Sequence, residues 1–397
     1  MAQEHPEKLA VIHVGFHKTG SSSIQHSLAH NRELLGARGY FYPEFILNGV
    51  EFYNHSAPLY GLYCEKPNQF QHYWYHNKLE AGYVNDHLDK LFQDDLWNRN
   101  KLIFSDEFVS GLSKEALIRL RDNFSSNGFK LRVISMVREP YNLMVSSCQQ
   151  KARRKAIKKT LSGDRLQKEG QKIKALIDVF GDAAEFYNFE KTCSHQLGPV
   201  GFFFDLLGIA LKPERTLRIN EGMSQYSTRL LSYINEQAPM LKNNTEINPI
   251  RQYADTRLLE KIPGGKFQLN KDEAEFIKPR VLEARKSIEA LLGEGFLPPL
   301  NLVCSGSECW GEEQMDFILY SANKLDLHIM LRVNDYLWAQ SLEGAEAEAK
   351  RDVLTNLLRE RLDRERPDRG LRLIQRYPRL KRLYWAYKRL LPARLQR

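Results

Sequence analysis

Cysteine is scarce in this chain, with five in 397 residues: Cys64, Cys148, Cys193, Cys304 and Cys309. An odd, unclustered set excludes a disulfide framework and suits a reducing compartment. Cys304 and Cys309 form the one close pair, and a zinc half-site there would lack partners. Long apolar runs are missing as well, since none approaches the roughly 20 residues a membrane-spanning helix needs. The first nine residues, MAQEHPEKL, contain no apolar stretch of the kind that opens a secretory signal. Internal repeats and low-complexity tracts are absent. An apolar content of 42% with 11% aromatics excludes a disordered chain. The expected compartment is a bacterial-type cytosol.

Charge is present but uneven. The net charge is +9, yet residues 366–397 hold eleven Lys/Arg against one Asp, and residues 151–175 hold ten against two. Those segments carry +10 and +8, which leaves −9 for the rest. An acidic body with two basic segments is a different object from a uniformly basic protein, and nothing in it suggests nucleic acid. In the tail, Leu373, Tyr377, Leu380, Tyr384, Tyr387 and Leu391 form one apolar stripe at helical spacing among the arginines and lysines. Such a segment can lie on an anionic membrane surface, although Pro378 interrupts the stripe.

The chemistry concentrates in residues 10–25, AVIHVGFHKTGSSSIQ. Ala10, Val11, Ile12 and Val14 read as a buried strand, Gly15 opens a turn, and Ser21 begins a helical pattern. A strand, a glycine turn and a helix N-terminus make an anion cradle, because the first-turn N–H groups and the helix dipole both favour negative charge. Lys18 adds a full positive charge, and Ser21, Ser22 and Ser23 add hydroxyls. Gly15 and Gly20 keep the GxxxxG frame of a Walker loop, but Ser21 stands where that loop has its lysine. The lysine has moved inside, giving K-T-G-S-S-S. This resembles the 5′-phosphosulfate loop of sulfotransferases, which grips the sulfate donor PAPS (3′-phosphoadenosine 5′-phosphosulfate).

A second motif follows in residues 131–150, where Val133 to Val137 reads as a buried strand with Arg138 at its carboxyl end. Glu139–Pro140 starts a helix, and Ser146 lies eight residues after Arg138. An arginine fork and a hydroxyl two turns on can close around one phosphate. The pattern resembles the 3′-phosphate motif of the same family. Downstream, RINEGMS (218–224) resembles an R-x-N-E-S segment of bacterial carbohydrate sulfotransferases, with Gly222 in place of the serine. KLIFSDEF (101–108) reads as a strand ending in Asp106 and Glu107, and His55 sits in an aromatic, polar stretch over 44–78.

The fold expected is α/β: a three-layer P-loop-type domain with a central parallel sheet over residues 1–300. A helical C-terminal extension over 301–365 and a basic amphipathic tail over 366–397 complete the chain. The pattern also places a single helix from Ser21 to about residue 36, a strand over 39–43 and one helix over 312–340. The resemblance implies sulfuryl transfer from PAPS to a hydroxyl of a carbohydrate or glycolipid. It implies Lys18 at the bridging oxygen and Thr19, Gly20 and Ser21 to Ser23 around the 5′-phosphate. It implies Arg138 and Ser146 at the 3′-phosphate and no metal, the leaving group carrying no chelated triphosphate. Glu107 at its strand end is the base expected, with His55 second. Two other readings stay open: a P-loop kinase or NTPase using Lys18 and Asp106 with Mg²⁺, and a non-catalytic nucleotide-binding or membrane-docking module.

Overall fold

The computed structural model describes residues 7–47, 50–66, 81–217, 219, 222–242, 246–306 and 308–364. The chain divides into two compact units, and neither is continuous in sequence. The first takes Met1–Met144, Asp164–Glu221 and Ile277–Asn301; the second takes Val145–Gly163, Gly222–Phe276 and the chain from Leu302.

The first unit is built on four parallel strands. β1 (Lys8–Val14) leads into α1 (Ser21–His30), and β2 (Lys101–Asp106) is followed by α2 (Lys114–Ser126). β3 (Phe129–Val137) runs into α3 (Pro140–Lys151), and α4 (Arg165–Phe180) precedes β4 (Ala184–Asn188) and α5 (Gly198–Leu206). The strand order is β2-β1-β3-β4, with Val14 opposite Asp106 on one side and Ser135 on the other. The alternation of a strand's side chains splits the core into two layers. Ala10, Ile12 and Val14 pack with Leu117, Leu120 and Phe124 of α2 and with Ile173 and Leu176 of α4. Val11, Ile103 and Ile134 pack with Ile24 and Leu28 of α1 and with Phe203 and Phe204 of α5. Helices therefore cover both faces of a parallel sheet, as the sequence pattern predicts.

This order creates a switch point. The chain leaves β1 toward β2 on one side and leaves β3 toward β4 on the other, which opens a crevice between the carboxyl ends of β1 and β3. The loop after β1 and Arg138 after β3 flank that crevice.

Several local expectations change. The helix from Ser21 stops at His30, and a separate short helix spans Arg32–Gly36; the buried Asn31 side chain donates to the carbonyls of Ser27 and Arg215 where one helix would have continued. Residues 39–43 form no strand: Phe41 makes one parallel bridge to Leu102, and Pro43 has no N–H with which to extend a ladder. The stretch after 44 is more structured than its composition suggests, with an antiparallel pair Phe45–Leu47 and Val50–Phe52 and a π-helical turn Ala57–Gly61.

The second unit is helical apart from two pairs of two-residue strands among its described residues. α6 (Gln225–Gln237) is capped by Ser224, whose hydroxyl accepts the Ser227 N–H at 3.1 Å. α7 (Lys271–Leu292) carries Pro279 inside it, and the division between the units falls within this helix. α8 (Glu312–Ala322), α9 (Leu327–Trp338) and α10 (Gly344–Arg364) follow. Leu230, Leu231 and Ile234 of α6 pack with Met315, Ile318, Val333, Leu337 and Leu354 around Trp310. The single helix expected over 312–340 is two, because Asp326 caps α9 by accepting the His328 N–H at 2.8 Å. Among the described residues no helix is long and apolar enough to cross a membrane. The amphipathic tail over 366–397 and, within RINEGMS, Arg218, Asn220 and Glu221 lie outside the described residues.

Candidate active site

The loop from Gly15 to Gly20 is shaped by contacts that leave its inner surface polar. The Gly15 N–H donates to the Asp106 carbonyl at 2.7 Å, continuing the β1–β2 ladder one residue past β1. A Cβ on Gly15 would lie 2.4 Å from Ser21 Oγ and 3.3 Å from Glu107 Cγ, so glycine here is a matter of space. Thr19 is buried, and its hydroxyl donates to the Phe16 carbonyl, tying the loop across its own neck. Gly20 has φ 75°, and Lys18 has φ 67°, the one non-glycine residue with positive φ among those described. A lysine held there stores about 1–3 kcal/mol of backbone strain, which the surrounding contacts must impose.

The three serines have separated into three jobs. α1 starts without a side-chain cap, so its first N–H groups are left to whatever approaches the loop. Ser21 is buried and its Oγ makes no hydrogen bond among the described residues. Ser22 gives its hydroxyl to the Glu107 carboxylate. Ser23 is spent elsewhere: its Oγ accepts the Ile219 N–H at 3.1 Å and donates to the Ile219 carbonyl at 3.4 Å. These bonds dock the chain around 219 onto α1, with Ser27 Oγ accepting the Leu217 N–H beside it.

Glu107 follows β2 directly and reaches back to the loop. Burial pushes its carboxyl up, while the Lys18 ammonium, the Ser22 hydroxyl and the Arg165 guanidinium pull it back. α4 supplies Arg165 at its first position and, two turns on, Lys172, whose Nζ lies 5.9 Å from the Phe16 ring centroid. Sequence reasoning missed Arg165. It sits within the basic run of 151–175, where no local pattern separates a site arginine from a solvated one.

Asp106 and His55 point into the body of the unit. Asp106 is fully buried, and its carboxylate accepts from Ser56 Oγ at 2.9 Å, the Tyr60 N–H at 3.1 Å and the Phe108 N–H at 2.6 Å. Burial holds its carboxyl up at about 6 against those three bonds. His55 is also fully buried, between Tyr42 at 4.3 Å and Phe45 and Phe104 at 5.0 and 5.4 Å, centroid to centroid. Its Nε2 faces the Pro43 carbonyl at 3.2 Å and its Nδ1 accepts the Ser105 N–H at 3.4 Å, which defines the neutral Nε2–H tautomer. Burial pulls its pKa down to about 3. The second candidate base is a core residue with both nitrogens committed.

Arg138 joins the two halves of the crevice. Its Nη1 donates to the Lys18 carbonyl at 2.8 Å, its guanidinium lies 5.2 Å from the Phe189 ring centroid, and its Nε is 4.0 Å from Glu190 Oε1. The strained Lys18 backbone is thereby pinned by the residue expected at the other phosphate. Glu139 caps α3: its carboxylate accepts the Asn142 N–H at 2.9 Å, and Arg285 pairs with it at 3.1 Å. Ser146 is half-buried on α3, in the stretch that belongs to the second unit.

Comparison with family models and with curated proteins returns no match. Among solved structures the chain is similar to a sulfotransferase from Alicyclobacillus acidocaldarius, at 15% identity over 54% of this chain and 87% of that one, TM-score 0.34. It is also similar to the sulfotransferase domain of the curacin biosynthetic pathway, at 13% identity over 52% and 76%, TM-score 0.32. A third is retinol dehydratase in complex with androsterone and the inactive cofactor PAP, at 13% identity over 72% and 81%, TM-score 0.30.

Proposed function

We propose that this protein transfers a sulfuryl group from PAPS to a hydroxyl of a carbohydrate or glycolipid. One observation carries the reading: a cation in a strained loop, Lys18, faces a half-buried carboxylate, Glu107, beside an uncapped helix start and the Ser21 hydroxyl, which has no hydrogen-bond partner among the described residues. A donor end, a leaving-group cation and a base share one small space.

The roles follow from charge. The α1 N–H groups and Ser21 receive the 5′-phosphate, and Lys18 neutralises the oxygen left behind when its bond to sulfur breaks. Glu107 accepts the proton of the attacking hydroxyl, whose oxygen forms the new bond to sulfur in line with the departing one. Arg138 takes the 3′-phosphate. The positioning of both reactants supplies most of the acceleration, as in phosphoryl transfer.

The kinase reading is weakened, because Asp106 is fully buried and already accepts three hydrogen bonds. Thermal-shift measurements with PAP, with ATP–Mg²⁺ and with buffer alone separate the possibilities. PAP without metal is expected to raise the melting temperature. A rise only with ATP–Mg²⁺ would return the protein to the NTPases, and no rise with either nucleotide would leave a docking module. The basic tail gives the enzyme a further property in this reading, attachment to an anionic membrane face where a glycolipid acceptor resides.

A further inference from the structure

Glu190 stands two residues beyond β4, and its carboxylate is held in place independently of Arg138. The Glu139 N–H donates to both of its oxygens, at 3.1 and 3.3 Å, and Asn142 Nδ2 donates to Oε1 at 3.2 Å. The carboxylate therefore rests against the start of α3, where backbone donors and the helix dipole favour an anion. Arg138 approaches to 4.0 Å through an Nε that is buried and makes no hydrogen bond among the described residues. Both side chains are only about one quarter exposed, at 23% and 24%, so solvent screens the pair incompletely. The chain has fixed one of its own negative charges beside the cation that the reading above gives to a phosphate.

We propose that Glu190 is a specificity-determining residue that competes with the donor's 3′-phosphate for Arg138. The inference rests on the assignment of Arg138 to that phosphate. A phosphate reaching Arg138 meets a carboxylate already anchored by two donors other than the arginine's side chain. Affinity for 3′-phosphorylated nucleotides is lowered, and the desulfated product PAP, which keeps its 3′-phosphate, leaves more readily after each turnover. Sequence patterns gave no sign of this, since Glu190 is a lone acid after a short strand.

The experiment uses PAP and adenosine 5′-phosphate, which differ only at the 3′ position. Glu190→Gln keeps the shape and removes the charge. Titration calorimetry is expected to show PAP binding about tenfold more tightly to this variant, equivalent to about 1.4 kcal/mol. Binding of adenosine 5′-phosphate stays within about twofold, since a single lost charge acts chiefly on the partner nearest to it. With PAPS as donor, KM and kcat fall together as product release slows. Glu190→Ala provides a second variant should the glutamine disturb folding, and melting curves monitor both. Wild-type preference for PAP over adenosine 5′-phosphate with no tightening, or a weakening, in both variants would overturn the proposal while leaving the Arg138 assignment standing. A wild type that binds the two nucleotides equally would remove that assignment and this proposal with it.

Discussion

At the scale of single residues, Lys18 makes the sharpest claim. Its left-handed backbone is imposed by neighbours, including the Arg138 bond to its carbonyl. Lys18→Gly is expected to leave stability unchanged or raise it by about 1 kcal/mol, because glycine adopts that φ without strain. Turnover should fall by about 10²–10³, so chemical melts and kinetics move in opposite directions. Equal losses of stability and rate would show that the strain has another purpose. Glu107→Gln keeps the Ser22 contact but cannot take a proton, and turnover should fall by about 10²–10⁴ with PAP binding nearly intact. Because burial raises the Glu107 carboxyl, the acid limb of the wild-type rate profile should lie above the ordinary carboxylate range of about 4. His55→Ala, by contrast, is expected to lower the melting temperature while the protein that remains folded keeps its turnover. A folded, inactive His55→Ala beside an active Glu107→Gln would exchange the two assignments.

At the scale of elements, Gly15→Ala tests the fit between loop and helix. A methyl group 2.4 Å from Ser21 Oγ forces α1 or the loop to shift, at about 1–3 kcal/mol, and PAP affinity should fall about tenfold or more. Unchanged affinity would mean that the cradle tolerates the shift and that its geometry is not what binds. The loop, β1 and β3 were legible in the sequence because each joins a short apolar run to a glycine or a charged strand end. α4 was not, for its buried face of Leu166, Ile173, Leu176 and Val179 lies among lysines and arginines that dominate the composition there. His55 could not be judged from its loop either, since its burial depends on Phe104, almost fifty residues on. The same holds for Ser23, whose partner is the backbone at 219. Spacing along the chain reports what a helix or strand can present, and these roles depend on what comes to meet it.

At the scale of the whole molecule, three fully buried groups, His13, His55 and Asp106, contribute to the response to acid. Burial pulls His13 down to about 4 and His55 to about 3, so the folded form resists protons that the unfolded chain takes up near 6.5. Each histidine therefore contributes stability that is complete above about pH 6.5 and drains away below it, at up to about 1.4 kcal/mol per pH unit. Asp106, raised to about 6, acts in the opposite sense as pH falls from about 6 toward 4, because the folded form binds its proton more readily. Glu107, Asp255 and Glu308 are also raised by burial and act with Asp106, so the histidine contribution is read by difference: between pH 6.5 and 4 the wild type should lose more of its urea midpoint than a His13→Gln, His55→Gln double variant. Equal changes in the wild type and the double variant would show that the two histidines do not contribute. The tail makes a separate prediction: full-length protein should sediment with anionic but not neutral vesicles, weakly at high salt, and a chain ending at residue 365 should not. Indifference to lipid charge would end that idea.

The ion pair of Glu139 with Arg285 has one further consequence, in the order of synthesis. The carboxylate that caps α3 emerges from the ribosome 146 residues before its guanidinium partner, and Ile288 and Leu297 of the same late segment complete the sheet's core. A nascent chain ending at residue 276 holds all four strands but lacks both the counter-charge of Glu139 and the apolar side chains that close the sheet's core. The unit that carries the sheet should therefore stay protease-sensitive on the ribosome until residues 277–301 have been made.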